Sequence, residues 1–429
     1  MNNWMIPMLG SAVVLAGVMG CGDVGVAQDA PRRAGAEIKE RGIPMFTSVR
    51  TAISDEDWRH VASRYDLVMT LFSPTAGGKD LSGENERVKW VKSLNPNLTM
   101  LVYGSVINAS NVRLHAWRQP QEHPEWFLKN EAGDWVCDHE YGGALHLDPG
   151  NAEWQEYMAT AYKDYIARYG YDGAFVDLVI STTHYVNFRK TGKAVNPKTG
   201  KPYTDAEWKE ATLGLLRTVR RHIGDKLMIV NGSRGADYFR TGYADFLSVA
   251  DGMCNEGFTG WMQDPTNPRF VPEENWKADV DALADCARRG KIVLAVGNVK
   301  KREDAEPAEP YDRLYRYIAA SFLLGMGERH YLMFYAKVHG RPECYSPGDE
   351  VLPAVCNVSL GKPKGNYYQA DGVYQRDFER GKALVNSTTR EATVKLKGAW
   401  KTPEAKPVVS PLVLPPHTGA ILLQEKKGR

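Results

Sequence analysis

The most regular feature of the sequence is an alternation of short apolar runs with longer amphipathic segments from residue 43 onward. The runs are only four to seven residues long and rich in β-branched side chains, which is typical of strands buried on both faces of a parallel sheet. The eight runs are Ile43–Val49, Leu67–Phe72, Leu98–Tyr103, Gly173–Val179, Leu227–Val230, Val249–Met253, Ile292–Val296 and Tyr331–Tyr335. The sequence therefore predicts eight strands.

The amphipathic segments between these runs predict helices. Apolar residues recur at a spacing of 3.6, and two segments begin with a capping pair, Ser54 with Asp57 and Thr204 with Glu207. Strands that alternate with helices pair in parallel through right-handed crossovers. Eight of them favour a closed (β/α)8 TIM barrel over residues 42–354, within the α/β class, rather than an open doubly wound sheet.

The pattern changes in the last part of the chain. Beyond residue 355 the apolar segments are short, alternate in polarity and are separated by Gly, Pro and Asn. We therefore expect a small antiparallel β-sandwich-like domain over residues 355–429, packed beside the barrel and stabilising it.

Composition narrows the class of protein further. The 429 residues carry a formal net charge of +2, so there is no positive surplus for a nucleic-acid partner. No GxGxxG or GxxxxGK[ST] motif follows a predicted strand, and we expect no organic cofactor. The six cysteines include no CxxC pair, which indicates neither a zinc site nor a disulfide framework. Only Cys344 and Cys356 are close enough in sequence to suggest a bridge, and that pairing is left open.

The N-terminal segment has the features of an export signal. Residues Met5–Gly20 carry no charge and end in small residues, a length typical of a signal peptide and short for a membrane span. Val18–Cys21 resembles a bacterial lipobox, in which Cys21 is lipidated. Cleavage after Ala27 is the alternative, and the first four residues lack the usual Lys or Arg. We expect a signal peptide over 1–21, a tether over 22–41, and an exported protein whose only membrane contact is a lipid anchor.

Two acids occupy strand ends where chemistry is expected. Active sites of such barrels lie at the carboxyl ends of the strands. Asp177 closes the fourth apolar run and Glu256 follows the sixth. Two carboxyl groups at one mouth are the minimum apparatus for glycoside hydrolysis, in which one donates a proton and the other acts as nucleophile or activates water. The alternative is that both are ordinary strand-end acids paired with a cation or a helix N-terminus.

Neutral polar residues follow other strands. We expect substrate contacts from a group that could bind sugar hydroxyls or stack on a sugar ring: Tyr103, His146, Asn231, Trp261, Asn298 and Tyr335. Tyr103, Asn231, Asn298 and Tyr335 could instead belong to the barrel rim, and Trp261, in the loop after Glu256, could instead fill space without contacting substrate. Asp172 and Asp251 precede strand glycines at the opposite end of the barrel and are expected to cap strand entries. Asp148 with Pro149 is expected to cap the following helix.

The strand-end segments resemble a known group of enzymes. Gly170–Asp177 is similar to the fourth-strand signature of bacterial glycoside hydrolase barrels related to endo-α-1,4-polygalactosaminidases, and Asp251–Phe258 resembles their sixth-strand segment. Further segments follow the order found in related uncharacterised families: Pro124–Asn130, Leu147–Asn151, Leu360–Pro363, Tyr374–Gly381 and Leu384–Asn386. The resemblance covers roughly residues 43 to 424. It implies a TIM barrel and assigns catalysis to Asp177 and Glu256.

The chain also departs from these relatives. The polygalactosaminidases are shorter and lack the C-terminal β-domain, so the resemblance does not carry their substrate over. The α-amylase family has an Arg two residues before its fourth-strand nucleophile, and this chain has Phe175 there. Membership of the α-amylase family is therefore not expected.

The predicted function is that of an exported glycoside hydrolase acting on a polysaccharide or oligosaccharide, without cofactor or metal. Asp177 is the expected nucleophile or oxocarbenium stabiliser and Glu256 the general acid/base. Acids on the fourth and sixth strands resemble the arrangement of retaining α-glycosidases, and this resemblance implies the short carboxyl separation of about 5 to 5.5 Å rather than the 6.5 to 9.5 Å of inverting enzymes. A surface glycan-binding protein on a degenerate barrel is the main alternative. A lyase or deacetylase is the third class, although no HxxE, HxH or DxD motif at a strand end supports it.

Overall fold

The fold is an eight-stranded parallel sheet surrounded by helices and followed by an antiparallel β-domain. The computed structural model describes residues 42–49, 53–71, 75–76, 79–80, 82–109, 122–138, 144–188, 192–233, 236–260, 268–300, 308–337 and 356–425. The sheet strands are β1 (Phe46–Val49), β2 (Leu67–Leu71), β3 (Thr99–Ser105), β4 (Gly173–Asp177), β5 (Leu227–Ser233), β6 (Gly252–Asn255), β7 (Ile292–Lys300) and β8 (His330–Lys337). Each of the eight predicted runs thus contains or overlaps one strand.

The sheet closes into a barrel. Neighbouring strands pair in parallel from β1 to β8, and a parallel bridge between Met45 and Leu332 joins the two ends. Alternate side chains from all eight strands fill the interior as one apolar cluster: Phe46, Leu67, Met69, Leu101, Tyr103, Phe175, Ile229, Cys254, Ile292, Leu294, Val296 and Met333. The residues between them face the helices. This double burial explains why the sequence shows continuous apolar runs.

Aspartates fasten the lower end of the barrel. Asp172 accepts a hydrogen bond from the backbone N–H of Met100 at 2.8 Å, and Asp251 accepts one from Met228 at 2.8 Å. Each of these aspartates is followed by a glycine that starts the next strand. A Cβ at Gly173 would lie 2.1 Å from the carbonyl oxygen of Leu227, so only glycine permits this approach. The expectation that Asp172 and Asp251 cap strand entries is confirmed.

Helices connect the strands around the outside. They are α1 (Asp55–Arg64), α2 (Ser82–Leu94), α3 (Ala152–Tyr169), α4 (His184–Phe188), α5 (Asp205–Ile223), α6 (Asp237–Arg240), α7 (Glu273–Arg288) and α8 (Ala308–Gly325). The 3-10 segments among the described residues include Pro124–Trp126 and Tyr243–Ser248. The capping boxes predicted at Ser54 and Thr204 are both present. Among the described residues, no helix is both long and apolar enough to cross a membrane.

The predicted start of α3 was wrong. Asn151, not Asp148, is the N-cap, and its side chain accepts a hydrogen bond from Trp154 N–H at 2.9 Å. Asp148 instead stabilises the turn before the helix, where its Oδ1 accepts hydrogen bonds from Gly150 N–H at 2.8 Å and from the Tyr203 hydroxyl at 2.7 Å. Burial raises the pKa of Asp148 above its ordinary value.

The loops that follow the barrel strands contain short strands. Thr75–Ala76 pairs with Lys79–Asp80, and Val195–Asn196 pairs with Lys201–Pro202. Ala144–His146 pairs with both Asn108–Ala109 and Cys137–Asp138. The loops after β3 and β4 therefore carry small sheets of their own.

The C-terminal strands form the expected antiparallel domain. They are β9 (Tyr368–Ala370), β10 (Val373–Asp377), β11 (Gly381–Asn386), β12 (Ala392–Val394), β13 (Trp400–Lys401), β14 (Pro407–Val408), β15 (Leu412–Leu414) and β16 (Thr418–Gln424). Six of them form one sheet in the order β9, β10, β11, β16, β13, β14, and β12 pairs with β15. The domain packs on α7 and α8: Tyr374 donates a hydrogen bond to Glu273 at 2.8 Å. Gly419 lies where a Cβ would be 2.6 Å from the carbonyl oxygen of Arg316.

A buried arginine joins the two domains. The Arg376 side chain, on β10, is 8% exposed and donates hydrogen bonds to the carbonyl oxygens of Leu323 and Met326, at 2.9 and 2.8 Å, and of Gly365 at 3.0 Å. The last carbonyls of a helix have no partner inside the helix, and a cation is favourable there. Arg376 thus stabilises the C-terminal end of α8 from the neighbouring domain.

Replacing this arginine should loosen the domain contact. We expect Arg376→Met to lower the free energy of unfolding by about 2 to 4 kcal/mol, because buried carbonyl oxygens lose charged donors. Arg376→Lys should recover only part of the loss, since one ammonium cannot reproduce the planar guanidinium contacts. Chemical denaturation measures the effect. Arg380→Met, at an exposed arginine of the same domain, is the control and should change stability little. Equal stability of Arg376→Met and the parent would contradict the assignment.

Candidate active site

Asp177 lies at the carboxyl end of β4, between β3 and β5. The Tyr103 hydroxyl on β3 donates a hydrogen bond to its Oδ2. Its Oδ1 accepts from the Asn231 side chain on β5, at 2.8 Å, and from the backbone N–H of Leu178, at 2.8 Å. Leu178 adopts a left-handed conformation with φ of 58°, a conformation that costs a non-glycine residue free energy. That local turn brings its N–H back onto the carboxyl group, and the three donors hold Asp177 in one orientation.

Glu256 follows β6 on the other side of Asn231. Its Oε1 accepts a hydrogen bond from Asn231 Nδ2 at 2.9 Å, and its main-chain carbonyl accepts one from the side chain of Asn298 on β7. The side chains of Asp177 and Glu256 are both half-buried. The neighbouring strands therefore fix the backbone and the carboxyl group of Glu256 separately, and the acid still reaches the barrel mouth.

One amide group links the two acids. Asn231 Nδ2 has two hydrogens, and its two acceptors are Asp177 and Glu256. Since Nδ2 lies 2.8 Å from one carboxyl oxygen and 2.9 Å from the other, these oxygens are separated by at most the sum, about 5.7 Å. An oxygen of Asp177 and an oxygen of Glu256 therefore lie close together at the carboxyl ends of β4 and β6, at a separation of the order found in the carboxyl pairs of glycoside hydrolases.

Two fully buried tyrosines, Tyr162 and Tyr243, lie close enough to Asp177 to interact with it electrostatically. Burial raises the pKa of Tyr243 well above its ordinary value, and nearby Cys254, Asp177 and Glu256 add to the shift. Burial also raises the pKa of Tyr162, with contributions from Asp177 and Tyr103. Both phenols are therefore neutral at ordinary pH. The Tyr162 hydroxyl donates to the carbonyl oxygen of Gly104 at 2.8 Å.

The other residues expected to contact substrate contact the two acids or lie buried in the protein. Tyr103 and Asn231 contact the acids directly. Asn298 is 1% exposed, and its side chain donates a hydrogen bond to the main-chain carbonyl of Glu256. Its side chain therefore contacts protein and not solvent. His146 is 0% exposed, with its ring 5.8 Å from that of Tyr185.

The side chains of four residues named in the sequence predictions are not described. Cys21 and Trp261 lie outside the described residues, as does the Cys344 half of the suggested bridge. The backbone of Tyr335 pairs with Asn298 between β7 and β8, but its side chain is not among the described ones.

Sequence analysis missed several groups around the acids. The Leu178 N–H acts through the backbone, and Tyr243 comes from a 3-10 segment rather than from a strand end. Buried Asp279, on α7, accepts a hydrogen bond from Asn255, the neighbour of Glu256. A search for polar residues at strand ends finds none of these, and the only local signal is Asn255 directly before Glu256.

Within the described part of the chain, one cluster has donors suited to a metal ion: His123, Glu125 and Glu153. These groups already have protein partners. His123 Nδ1 lies 3.1 Å from Glu125 Oε1, and Trp126 Nε1 donates to Glu153 at 3.3 Å. Exposed acidic groups of this kind are common without an ion, so we assign no metal to them.

Comparisons with known proteins agree with this architecture. The structure resembles the maltogenic α-amylase AmyB from Thermotoga neapolitana, with a TM-score of 0.51 and 13% identity over 90% of this chain and 99% of that one. It also resembles a GH31 sulfoquinovosidase from E. rectale, with a TM-score of 0.50 and 10% identity over 92% of this chain and 63% of that one. At these identities the likeness shows the fold, a TIM barrel.

The family comparison concerns the sequence itself. The family model described as "Hypothetical glycosyl hydrolase family 15" (GHL15) matches residues 92–382, so the protein is a glycoside hydrolase. The chain belongs to that family. The glycoside hydrolase domain of PelA from Pseudomonas aeruginosa is a further structural match, with a TM-score of 0.45 and 14% identity over 70% of this chain and 96% of that one. No curated protein matches the chain. The resemblance to a bacterial glycoside hydrolase family is confirmed.

The shared amide suggests a direct test of the site. We expect Asn231→Ala to lower kcat about 10- to 100-fold with little loss of stability, because both carboxyl groups lose a common donor. Asn231→Asp should lower activity further near neutral pH. A third carboxylate raises the pKa values of its neighbours, so the pH profile of kcat/KM should move to higher pH. Profiles measured for the three proteins decide this, and an unshifted profile for Asn231→Asp would contradict the geometry.

Proposed function

We propose that the protein is an exported, retaining glycoside hydrolase that cleaves a polysaccharide or oligosaccharide. Asp177 is the nucleophile and Glu256 the general acid/base. The observation that carries this proposal is the Asn231 side chain, which donates to both carboxyl groups at 2.8 and 2.9 Å. An oxygen pair separated by at most about 5.7 Å supports the short range of retaining enzymes, about 5 to 5.5 Å, over the 6.5 to 9.5 Å of inverting ones.

The proposed reaction has two steps. In the first, an oxygen of Asp177 bonds to the anomeric carbon while the glycosidic bond breaks, and the proton of Glu256 moves to the leaving oxygen. In the second, Glu256 takes a proton from water as the water oxygen attacks the anomeric carbon and displaces Asp177. The net change is hydrolysis with retained anomeric configuration, and no cofactor takes part.

The division of roles follows from the hydrogen bonds. Asp177 accepts from Tyr103, Asn231 and the Leu178 N–H, and these donors hold its carboxyl group in a fixed orientation, as attack on the anomeric carbon requires. A nucleophile must be ionised, whereas a general acid must hold a proton. Asn298 fixes the main chain of Glu256 and Asn231 donates to its carboxyl group, and we assign proton transfer to that carboxyl group.

Product stereochemistry tests the retaining mechanism. NMR of the first products should show the anomer of the substrate. A 2-deoxy-2-fluoro glycoside with a good leaving group should label the enzyme, and the labelled peptide should contain Asp177. Initial release of the opposite anomer would replace this proposal with an inverting mechanism.

The substrate class needs a separate experiment. The purified protein should be tested on a panel of bacterial, algal and plant polysaccharides, with reducing ends and product size as the readouts. Release of reducing ends from one polymer identifies the sugar. Tight binding to a polymer without any release would instead support the glycan-binding alternative.

Export is proposed from the N-terminal sequence, which lies outside the described residues. The segment Val18–Cys21 resembles a lipobox. Labelling of cells with an alkyne fatty acid should mark the parent protein and not Cys21→Ser. Labelling of both proteins, or of neither, would remove lipidation at Cys21 from the proposal.

A further inference from the structure

Asp279 is a buried acid directly behind the turn that carries Glu256. It lies on α7 and is 1% exposed. Its Oδ1 accepts a hydrogen bond from Asn255 Nδ2 at 3.0 Å, and its Oδ2 accepts one from the backbone N–H of Thr259 at 3.1 Å. Asn255 directly precedes Glu256, and Thr259 follows it by three residues. One carboxyl group therefore holds both sides of the segment that contains Glu256.

This segment is a tight turn. The Gly257 N–H donates to Asn255 Oδ1 at 3.2 Å, and the Gly260 N–H donates to the Gly257 carbonyl at 2.9 Å. Thr259 has a left-handed φ of 61°, which is unfavourable for a β-branched residue. A backbone in this conformation persists only when its surroundings fix it, and the bond from Thr259 N–H to Asp279 does so.

Keeping a carboxyl group in this position is costly. Burial raises the pKa of Asp279 to about 7, and Asp237 on α6 adds to the shift. Tyr317, on α8, faces the same group. Its two hydrogen-bond partners are neutral amide donors. An apolar residue at this position of α7 would avoid the cost of burying a carboxyl group. It would, however, leave the Asn255 amide and the Thr259 N–H without this acceptor.

We propose that Asp279 is a positioning residue that fixes the turn from Asn255 to Thr259 and thereby aims the Glu256 carboxyl group at the leaving oxygen. The proposal rests on the proposed role of Glu256 as general acid. Asp279 itself does not touch substrate and acts through Asn255 and Thr259.

The test uses the dependence of rate on the leaving group. A general acid accelerates departure of a poor leaving group and is dispensable for a good one. The probes are the phenyl and 2,4-dinitrophenyl glycosides of the sugar released in the polysaccharide screen. We expect Asp279→Asn to lower kcat/KM about 10-fold or more on the phenyl glycoside and less than twofold on the dinitrophenyl glycoside. An asparagine has one acceptor oxygen, so one of the two donors loses its partner.

Two further variants complete the experiment. Asp285→Asn makes the same change on the same helix, at an acid bound to Tyr238 and Arg288, and should leave both rates near those of the parent. Asn255→Ala breaks the Asp279 contact from the strand side and should repeat the Asp279→Asn pattern. The wild-type pH profile on the phenyl glycoside should also contain an ionisation near 7 that Asp279→Asn lacks.

The possible outcomes separate the two proposals. If Glu256→Gln shows no leaving-group dependence, the role of Glu256 is wrong and the role of Asp279 falls with it. If Glu256→Gln shows that dependence but Asp279→Asn behaves like the parent, only the Asp279 proposal is overturned. An equal loss on both glycosides, or failure of both Asp279→Asn and Asn255→Ala to fold, would make Asp279 a stability residue and would also overturn it.

Discussion

Asp177→Asn and Glu256→Gln should each lower kcat by on the order of 10²-fold or more on a polysaccharide substrate while the protein folds normally. The two losses should differ on an activated aryl glycoside. Asp177→Asn should remain inactive because no bond to the anomeric carbon forms. Glu256→Gln should recover much of kcat/KM because a good leaving group needs no proton. Rates on the phenyl and dinitrophenyl glycosides measure this difference.

The barrel provides a matched control at the other end of the same strand. Asp172→Asn makes the same change next to β4, where Asp172 accepts the Met100 N–H. It should affect stability and leave the turnover of the folded enzyme near that of the parent. Near-parental activity of folded Asp177→Asn or Glu256→Gln would remove that residue from the mechanism.

Deletion of residues 360–429 should cause misfolding or aggregation. The deletion removes the Arg376 donors from the C-terminal end of α8 and the Tyr374 hydroxyl from Glu273 on α7. It also exposes the surface of α8 against which Gly419 packs so closely that an added Cβ would lie 2.8 Å from the Cβ of Ala320. Apolar area returned to water weakens a fold by roughly 25 cal/mol per Å². Soluble yield and thermal unfolding of the truncated protein measure the outcome.

The control for this deletion removes only residues 426–429, which follow β16, and should leave yield and unfolding temperature near those of the parent. A stable and fully active protein that lacks 360–429 would show instead that the C-terminal domain is an independent appendage. Loss of activity with a normal unfolding temperature would point to a role of the domain in substrate binding.

Local sequence was sufficient to predict that Asp177 and Glu256 lie at the carboxyl ends of strands. Parallel strands place their carboxyl ends at one mouth, so an acid that closes an apolar run must lie there. The same rule places Asp172 and Asp251 at the opposite end, where both accept backbone N–H groups. These predictions need only the direction of each strand, and that direction follows from the alternation of strands and helices.

The role of Asn231 could not be read in this way. Asn231 lies 54 residues from Asp177 and 25 from Glu256, and its sequence position predicted a substrate contact. Whether its side chain meets sugar or protein depends on how β4, β5 and β6 are staggered in the closed barrel. The stagger brings both acids within reach of the same amide group, and no local pattern encodes that distance.

Asp148 and Asp279 also have hydrogen-bond partners that the local sequence does not predict. Asp148 precedes a proline and a helix, which is the usual local pattern of a helix cap. Its carboxyl group instead accepts hydrogen bonds from the hydroxyl of Tyr203, in a distant loop, and from the N–H of Gly150. Asp279 occupies a core position on α7, where the helical periodicity of the sequence predicts an apolar residue. Only the packing of α7 behind β6 gives it the partners Asn255 and Thr259.

The sequence by itself determined the barrel, the antiparallel domain and the strand ends that carry Asp177 and Glu256, because these follow from periodicities of a few residues. The tertiary structure alone decided the separation of the two carboxyl groups, the shared donor Asn231 and the anchoring of Glu256 by Asn298. These depend on barrel closure, which joins groups far apart in the chain. Chemistry at this site requires distances set to within a fraction of an ångström, and such distances are a property of packing rather than of local pattern.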